Sequence, residues 1–371
     1  MKLGEALSFH NGKTSPDRSE GGMYQVHGSN GVIGYCNQSN APAGAAVIGR
    51  VGSYCGNVHF LQSDSWVTDN AIFALPKPDQ DPRYWYFALC YLKLGELRHG
   101  SGQPLLNQEI LSGVDFDPQP LSEQRRIAGV LGVLDDKIES NCAQQRIGEQ
   151  LLRAVIEGIL GQFSEADFIS FDAYCTQSKE SVRLENIGNG DKYIALEHMP
   201  RGSVFLNSWE TAKLAGIASN KTRFRHGDLL FGKLRPYFKK VGVAPVSGVC
   251  STDILVIRPR LPEFLPFIAV IASSDVLIDS ISASATGTRM PRASWKEIAT
   301  WPVPQIPDET LTVLLHPANQ LMAFLETLSL QNLKLAQLRD ALLPELMSGR
   351  MRVDEAGCLV SEALDEEVAD V

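Results

Sequence analysis

The chain has 371 residues, of which 44% are hydrophobic and 21% are charged, and its formal net charge is −9. Its apolar fraction is high enough for packed cores and excludes a disordered chain, and its length predicts roughly two or three domains. No apolar run approaches the roughly 18 residues that a membrane span requires, and the seven scattered cysteines show no C-x-x-C spacing. We therefore expect a cytoplasmic protein without a disulfide framework or a zinc site.

Charge is distributed unevenly along the chain. Residues 354–371 carry seven acidic residues and no basic one, and we expect them to form a disordered acidic tail. Residues 213–240 carry eight lysines and arginines against the single acidic residue Asp228. Because local charge decides whether a phosphate backbone can be held, this stretch favours a polyanion site over a merely solvated basic face.

Two strand-rich segments alternate with two long helical segments. Residues 1–119 predict a first domain, with short apolar stretches such as AAVIG, NVHFL and AIFAL and one helix after Pro82. Residues 163–307 predict a second domain on the same plan, with DLLFG, KVGVAP and DILVI. Residues 120–162 and 308–353 are predicted long helices, and the periodic stretch 122–160 of the first would span about 58 Å at 1.5 Å per residue.

The chain carries one module twice. Residues 44–76 align with residues 227–259 without a gap, at a constant offset of 183. Glycines, a cation, an aromatic residue and apolar stretches match, whereas most polar positions differ. Because the residues that shape the backbone match while the polar residues differ, the repeat indicates two related domains with two different ligands. Aligned pairs include Gly49 with Gly232, Arg50 with Lys233, Tyr54 with Tyr237 and Asn70 with Asp253.

Both long helical segments show seven-residue apolar spacing with polar interruptions in the middle. A single helix of this kind could join a bundle, but two matched seams in one chain favour an intramolecular antiparallel coiled coil. We predict that the seam includes Leu131, Leu134, Ile138, Leu152, Val155, Leu321, Leu325, Leu328, Leu335 and Leu342.

A search for catalytic patterns favours no enzyme. GDLLFGKL at 227–234 approaches the phosphate-loop pattern, but Leu234 supplies no hydroxyl for magnesium and the loop positions are apolar. The seven histidines show no metal-ligand spacing, and no G-x-S-x-G elbow is present. We predict no metal, no cofactor and no catalytic residue in this chain.

The remaining features suit recognition of nucleic acid. A glycine turn beside a cation and an aromatic residue can approach phosphates and bases, and Arg, Gln and Asn can read base edges in the major groove. Solvation of an exposed β-turn is the alternative for each single residue. The candidates from the residues alone are Arg50, Tyr54, Gln103, Asn107, Arg223, Arg225, Lys233, Arg235, Tyr237, Lys239, Lys240, Arg289 and Arg292.

Four segments in this order resemble the DNA-specificity subunit of type I restriction–modification systems. They are MYQVHGSNGVIGY at 23–35, PLSEQRRIAGVLGVLDDKI at 120–138, ATGTRMPRASWKEIATWPVPQIP at 285–307 and LRDALLPELMSGRMRV at 338–353. The second long helix departs from the pattern because it begins PDETLTVL and lacks the Glu-Gln pair of the first. The GSNG turn, whose Ser29 and Asn30 join the candidates, has no clear copy in the second domain.

The resemblance implies an α+β fold with two strand-rich target-recognition domains, separated by the antiparallel coiled coil. Each domain would read half of an interrupted, asymmetric site in double-stranded DNA. Two methyltransferase subunits would bring S-adenosylmethionine and methylate adenine, and restriction or translocase subunits, if recruited, would bring ATP and Mg. The chain itself would do no chemistry.

Two other functions stay open at this stage. One is the specificity subunit of a related system in which restriction and methylation reside in one partner chain. The other is an interaction scaffold that does not bind DNA, whose helices and repeated domains bind proteins.

Overall fold

The computed structural model describes residues 1–97, 105–163, 165, 167–284 and 291–369. The chain forms two compact units, one of residues 1–136 with 335–371 and the other of residues 137–334. The helices are α1 (Leu3–Ala6), α2 (Pro82–Tyr91), α3 (Gln108–Ser112), α4 (Leu121–Gln162), α5 (Leu265–Ala272), α6 (Asp275–Ser284), α7 (Trp295–Ala299), α8 (Asp308–Met347) and α9 (Val353–Ala369).

The first unit is built on two sheets, one with strand order β1-β7-β4-β5 and the other with order β3-β2-β6. Its strands are β1 (Leu7–Asn11), β2 (Tyr24–Gly28), β3 (Gly31–Cys36), β4 (Ala46–Gly49), β5 (Val58–Phe60), β6 (Ser65–Val67) and β7 (Ala71–Pro76). Helix α2 begins where the sequence supplies both a cap and a proline: the Asp81 carboxylate accepts a bond from the Tyr84 N–H at 2.8 Å, and Pro82 takes the first helical position. Trp85 of this helix is buried, as expected for a core residue.

The second unit contains a four-stranded sheet of order β15-β14-β17-β9, a five-stranded sheet of order β10-β13-β16-β11-β12 and the pair β18-β8. Its strands are β8 (Phe168–Ser170), β9 (Cys175–Ser178), β10 (Ser181–Val182), β11 (Lys192–Ile194), β12 (Glu210–Thr211), β13 (Lys221–Phe224), β14 (Leu229–Gly232), β15 (Val241–Val243), β16 (Gly248–Cys250), β17 (Ile254–Pro259) and β18 (Pro302–Pro304). Residues 266–272 of α5 are all buried, so this helix forms part of the core.

The sequence repeat is a structural repeat. The order β1-β7-β4-β5 in the first unit corresponds to β9-β17-β14-β15 in the second. The parallel pair β2 and β6 likewise corresponds to β11 and β16. In both four-stranded sheets the strand that precedes the glycine-cation turn, β4 or β14, lies between two antiparallel neighbours. Because this strand is hydrogen-bonded on both sides, its end holds the following turn in a fixed position.

The predicted α+β class and the intramolecular antiparallel pair of long helices are confirmed. Helix α4 has 42 residues and α8 has 40, which corresponds to about 63 Å and 60 Å at 1.5 Å per residue. Within the second unit, residue numbers rise along α4 as they fall along α8: Asn141 bonds to Gln331 at 3.5 Å and Gln145 to Ser329 at 2.6 Å. Within the first unit, Arg339 of α8 donates to Asp135 of α4 at 2.7 Å.

The seam residues named from the sequence divide by burial. Ile138, Val155 and Leu321 are half-buried, whereas the neighbouring Ile156 and Met322 are buried. A straight helix drifts from a strict seven-residue repeat, so the buried positions shift by one residue along the seam. The buried members of the predicted seam are Leu131, Leu134, Leu152, Leu325, Leu328, Leu335 and Leu342.

The acidic segment is not the disordered tail that its charge suggests. Residues Val353–Ala369 form α9, and Val353, Ala356 and Val360 are buried at helical spacing. Arg126 of α4 pairs with Asp354 at 2.6 Å. The prediction of disorder was wrong because it considered only the charge of the segment. Its apolar residues recur every 3.6 residues, so one face of the helix is buried while the carboxylates lie on the other face.

The second long helix is shorter than the predicted range of 308–353. It ends at Met347, and Gly349 follows in the left-handed region at φ 71°. Glycine is the usual residue in this conformation just beyond a helix. Residues 348–352 therefore form a turn between α8 and α9.

All seven cysteines are free thiols. Among the described residues, no single helix has the length and hydropathy of a membrane span, and only the bent pair formed by residues 262–272 and 275–283 passes that test jointly.

Candidate nucleic-acid interface

Two turns of the first domain meet at the backbone carbonyl of Asn70. Ser29, in the GSNG turn between β2 and β3, donates its hydroxyl to that oxygen at 2.6 Å. The Arg50 N–H, at the end of β4, donates to the same oxygen at 2.9 Å. The GSNG turn also contacts the residue that precedes β5, since Asn57 donates its side-chain amide to the Asn30 oxygen at 3.4 Å. The structure therefore brings together Ser29, Asn30 and Arg50, which are far apart in sequence.

Glycine at position 49 permits this close approach. A Cβ atom on Gly49 would lie 2.2 Å from the Tyr54 carbonyl oxygen and 2.7 Å from that of Ser29. Tyr54 itself projects outward with 48% of its surface exposed. The Arg50 Nε atom is buried and has no hydrogen-bond partner among the described residues. A glycine thus packs two turns together beneath an exposed aromatic side chain.

The second domain repeats two of the backbone hydrogen bonds that define this turn. The Gly49 N–H donates to the Asn57 oxygen at 2.8 Å, and at the equivalent place Gly232 donates to Lys240 at 2.8 Å. The Lys233 N–H donates to the Asp253 oxygen at 2.8 Å, as Arg50 does to Asn70. The repeated motif therefore forms the same turn twice, which we call the first and second recognition turns, residues 49–57 and 232–240.

Each recognition turn pairs with a segment from the far end of its own domain. Val51 bridges to Leu105 in the first domain, and Leu234 bridges to Arg292 in the second. The candidate Arg292 therefore lies beside the second recognition turn, where its guanidinium is 3.8 Å from Asp253 and 62% of its side chain is exposed.

The second recognition turn is strongly basic. Lys233 donates to the Thr252 carbonyl at 2.5 Å, and Lys239 pairs with Asp275 at 2.6 Å. The Lys240 ammonium donates to the Leu196 carbonyl, and burial, followed by the nearby Arg201, lowers the pKa of Lys240. Lys240 therefore has a structural bond in addition to any contact with a ligand.

Arg235 and Lys239 both have left-handed backbone conformations, at φ 51° and ψ 64° and at φ 51° and ψ 43°. A residue with a Cβ atom loses roughly 1–2 kcal/mol in this region. Arg235 and the intervening Tyr237 are exposed, the latter by 48%. The turn thus presents an arginine and a tyrosine to solvent on a strained backbone.

Two further arginine candidates lie on another part of the second domain. Arg223 and Arg225, on and just after β13, face Glu180 at 3.8 Å and 3.6 Å. The shared carboxylate offsets part of their charge. The contacts of the described residues do not join this pair to the second recognition turn.

Asn107 has a structural task as the N-cap of α3, where its side-chain oxygen accepts from the Ile110 N–H at 2.8 Å. Its proposed contact with a base stays a prediction. Gln103 and Arg289 lie outside the described residues.

Sequence reasoning missed two residues at these turns. Asn57 is the repeat partner of Lys240, so the alignment could have identified it. Arg201 places its guanidinium 4.1 Å from the Phe238 ring centre, a cation–π contact in the second recognition turn. Because Arg201 lies outside the aligned repeat, no sequence pattern connected it with this turn.

Among the described residues, no group of three or more His, Cys, Asp or Glu side chains is arranged to hold a metal ion. The chemical capacity of the recognition turns is to donate hydrogen bonds and to present positive charge and aromatic faces. Such groups bind anions and base edges.

Comparison with known proteins agrees with this chemistry. Residues 1–147 match the family model of the type I restriction modification DNA specificity domain. The chain is 26% identical over 285 residues to the specificity subunit of the type I restriction enzyme EcoDI from Escherichia coli, which covers 67% of this chain and 64% of that protein. It is 25% identical over 153 residues to the specificity subunit of EcoprrI from the same species, covering 39% and 38%. The match thus spans less than two thirds of the length of either relative.

A solved structure shows the same fold along most of the chain. The S subunit of a type I restriction-modification system from M. genitalium superposes with a TM-score of 0.57 at 15% identity, covering 93% of this chain and 95% of that one. The resemblance recognised in the sequence is therefore confirmed: the chain is similar to type I specificity subunits, and its residues 1–147 match the model of the type I restriction modification DNA specificity domain.

Proposed function

We propose that this chain is the non-catalytic, sequence-specific DNA-binding subunit of a type I restriction–modification complex. Each domain reads one half of an interrupted, asymmetric site. The long helix pair, α4 and α8, sets the number of base pairs between the two halves.

One observation carries this proposal. The two recognition turns share the backbone hydrogen bonds that Gly49 and Gly232, and Arg50 and Lys233, donate, but they differ in the side chains they present. Side chains at base edges specify the DNA sequence that a protein binds. Two turns with the same backbone but different exposed side chains therefore suit one chain that reads two different DNA sequences. A scaffold for two copies of one protein partner would not need this divergence.

The chemistry would reside in partner subunits. Two methyltransferase subunits would bind S-adenosylmethionine and methylate one adenine in each half-site. Restriction or translocase subunits, where present, would bring ATP and Mg. This chain would bind double-stranded DNA in the cytoplasm and hold none of these cofactors.

Selection from a random duplex library tests the proposal. The complex of this chain with the methyltransferase encoded beside it would be incubated with the library, and the bound duplexes sequenced. We expect two short conserved blocks separated by a gap of fixed length.

A substitution assigns one block to the second domain. Arg292→Ala should relax one block and leave the other intact, by about 1–3 kcal/mol of lost discrimination if the guanidinium reads a base. Arg260→Ala is the matched control, because Arg260 lies at the far end of β17 from the second recognition turn. The turn contacts the start of β17, where Gly232 pairs with Ile254, whereas Arg260 follows the last residue of the strand. Enrichment of a single uninterrupted block, or of none, would contradict the proposal and favour the scaffold.

A further inference from the structure

The two recognition turns share a left-handed backbone at two equivalent positions but fill them differently. In the first turn these positions are Gly52, at φ 76°, and Gly56, at φ 93°. In the second turn they are Arg235 and Lys239, both at φ 51°. Glycine adopts this conformation without steric penalty, so the first turn is relaxed where the second is strained.

The same comparison shows a difference in charge. At five equivalent positions the first domain has one cation and the second has five. Asp253, which stands where the first domain has Asn70, and Asp275 offset part of this excess. The pairs are Arg50 with Lys233, Gly52 with Arg235, Gly56 with Lys239, Asn57 with Lys240 and Leu105 with Arg292.

The strain and the charge lie on the same residues. Backbone strain persists where the surrounding structure enforces it and is concentrated at binding sites. The turn itself does not require cations at these positions, because the first domain forms it with glycine. Nor does the Lys239–Asp275 pair explain the lysine, since an ion pair with 38% and 71% of its side chains exposed contributes little.

We propose that the second recognition turn is the electrostatic anchor of the complex on DNA, with Arg235 and Lys239 as its phosphate-binding residues. The first recognition turn contributes little to this anchoring and acts through hydrogen bonds. This difference between the two turns rests on the proposed function and adds to it, because the binding affinity for one half-site would depend more strongly on salt than that for the other.

Substitution by the residues of the first turn tests the anchor. In the complete complex, the double variant Arg235→Gly with Lys239→Gly keeps a backbone that favours the turn while removing both charges. Each phosphate contact contributes about 0.9 to the slope of log affinity against log salt, so the slope should fall by about 1.8. Between about 50 and 200 mM salt the unaltered complex would then lose about tenfold more affinity than the variant.

Lys93→Gly is the control on the first domain, since Lys93 is an exposed lysine at φ 47° that borders the first recognition turn without belonging to it. It removes one charge and one strained residue and should leave the salt slope unchanged. The thermal midpoint of each variant, measured in parallel, separates loss of the anchor from loss of the fold.

A reciprocal variant adds charge to the first turn. A Cβ atom on Gly52 would have no neighbour within 4 Å, whereas one on Gly56 would lie 2.1 Å from the Gly95 nitrogen. Gly52→Arg therefore has the space it needs, with the same left-handed backbone strain that Arg235 bears, and it should increase the salt slope by about 0.9.

The outcomes are distinguishable. Sequence-specific binding with an unchanged slope in a folded double-glycine variant would overturn the anchor and leave the proposed function standing. A slope lowered by about 0.9 in Lys93→Gly would also overturn it, because a charge beside the first turn would then contribute as much as each charge of the second. Absence of sequence-specific binding by the unaltered complex would contradict the proposed function and the anchor together.

Discussion

His27 makes the first domain sensitive to acid. The side chain lies in β2 with 5% of its surface exposed, and its Nε2 is 3.2 Å from the Gln25 oxygen. Burial, followed by the nearby His59, lowers the pKa of His27 from 6.5 to about 4. The unfolded chain binds this proton near the ordinary pKa of 6.5, well before the folded domain does. The stability that neutral His27 contributes is therefore fully present above pH 6.5 and is lost as the pH falls toward 4.

We predict that replacing His27 by isoleucine removes this sensitivity. Ile194 of β11 occupies the equivalent position in the second domain, where the same parallel pairing occurs. Between pH 7.5 and 4, the wild-type chain should lose roughly 3 kcal/mol more of its free energy of unfolding than His27→Ile, at 1.36 kcal/mol per pKa unit. Urea unfolding at both pH values measures the difference. An equal loss in both proteins would assign the acid sensitivity to other groups.

For single residues, the sequence predicted which positions of the two turns are equivalent, but it did not predict the hydrogen bonds that their side chains make. The repeat alignment correctly placed Arg50 and Lys233 at equivalent points of two turns, because both follow the same buried strand. It could not predict that Asn107 caps a helix or that Lys240 bonds to the Leu196 carbonyl. Those bonds depend on which atoms the fold brings within reach, and sequence spacing carries no such information.

The long helix pair contains a buried polar layer. Asn141 is fully buried and Gln331 is 6% exposed, and a single bond of 3.5 Å joins them. The Asn141 oxygen has no hydrogen-bond partner among the described residues. A buried polar group without a partner destabilises a fold by about 1–3 kcal/mol, but a polar layer also restricts the register of two helices.

We predict that changing both Asn141 and Gln331 to leucine raises the free energy of unfolding by about 1–2 kcal/mol, because both desolvated amides are removed together. Leu325→Ala, in the neighbouring layer, serves as the reference and should lose about 2–5 kcal/mol. Chemical denaturation of the three proteins provides the comparison. A double-leucine variant less stable than the wild type would show that the polar layer contributes net stability.

Element types followed from apolar periodicity, and the errors arose where charge was considered instead. The seven-residue spacing predicted both long helices and their antiparallel pairing. The apolar positions of α9 repeat just as regularly, yet its carboxylates suggested disorder. Burial of Val353, Ala356 and Val360 shows that a helix with one acidic face needs only a narrow apolar stripe to pack.

For the whole molecule, the length of the helix pair is the property most open to testing. A heptad added to α4 between Ile138 and Glu139, with a matched heptad in α8, preserves the seam spacing. Seven residues add about 10.5 Å of helix, which corresponds to about three base pairs of duplex. We predict a gap longer by about three base pairs with both half-sites unchanged. A variant that folds and methylates with its original gap would contradict the role of the helices as a spacer.

The architecture was predictable because it is duplicated. A single strand-rich segment would have left many folds open, whereas two aligned copies, each followed by a long apolar-periodic helix, restrict the arrangement strongly. The extra strands β10 and β13 of the second domain were not predicted, since they come from sequence outside the aligned repeat. Which base each side chain contacts also lies beyond sequence reasoning, because it depends on atomic positions in the bound complex.

Single-molecule methylation sequencing would show whether this chain directs methylation to a two-part site. Plasmid DNA would be taken from cells expressing this chain together with the methyltransferase encoded beside it, and from cells lacking only this chain. We predict adenine methylation in an interrupted, two-part motif that is present in the first cells and absent from the second. Methylation by the active partner that is the same with and without this chain would contradict it.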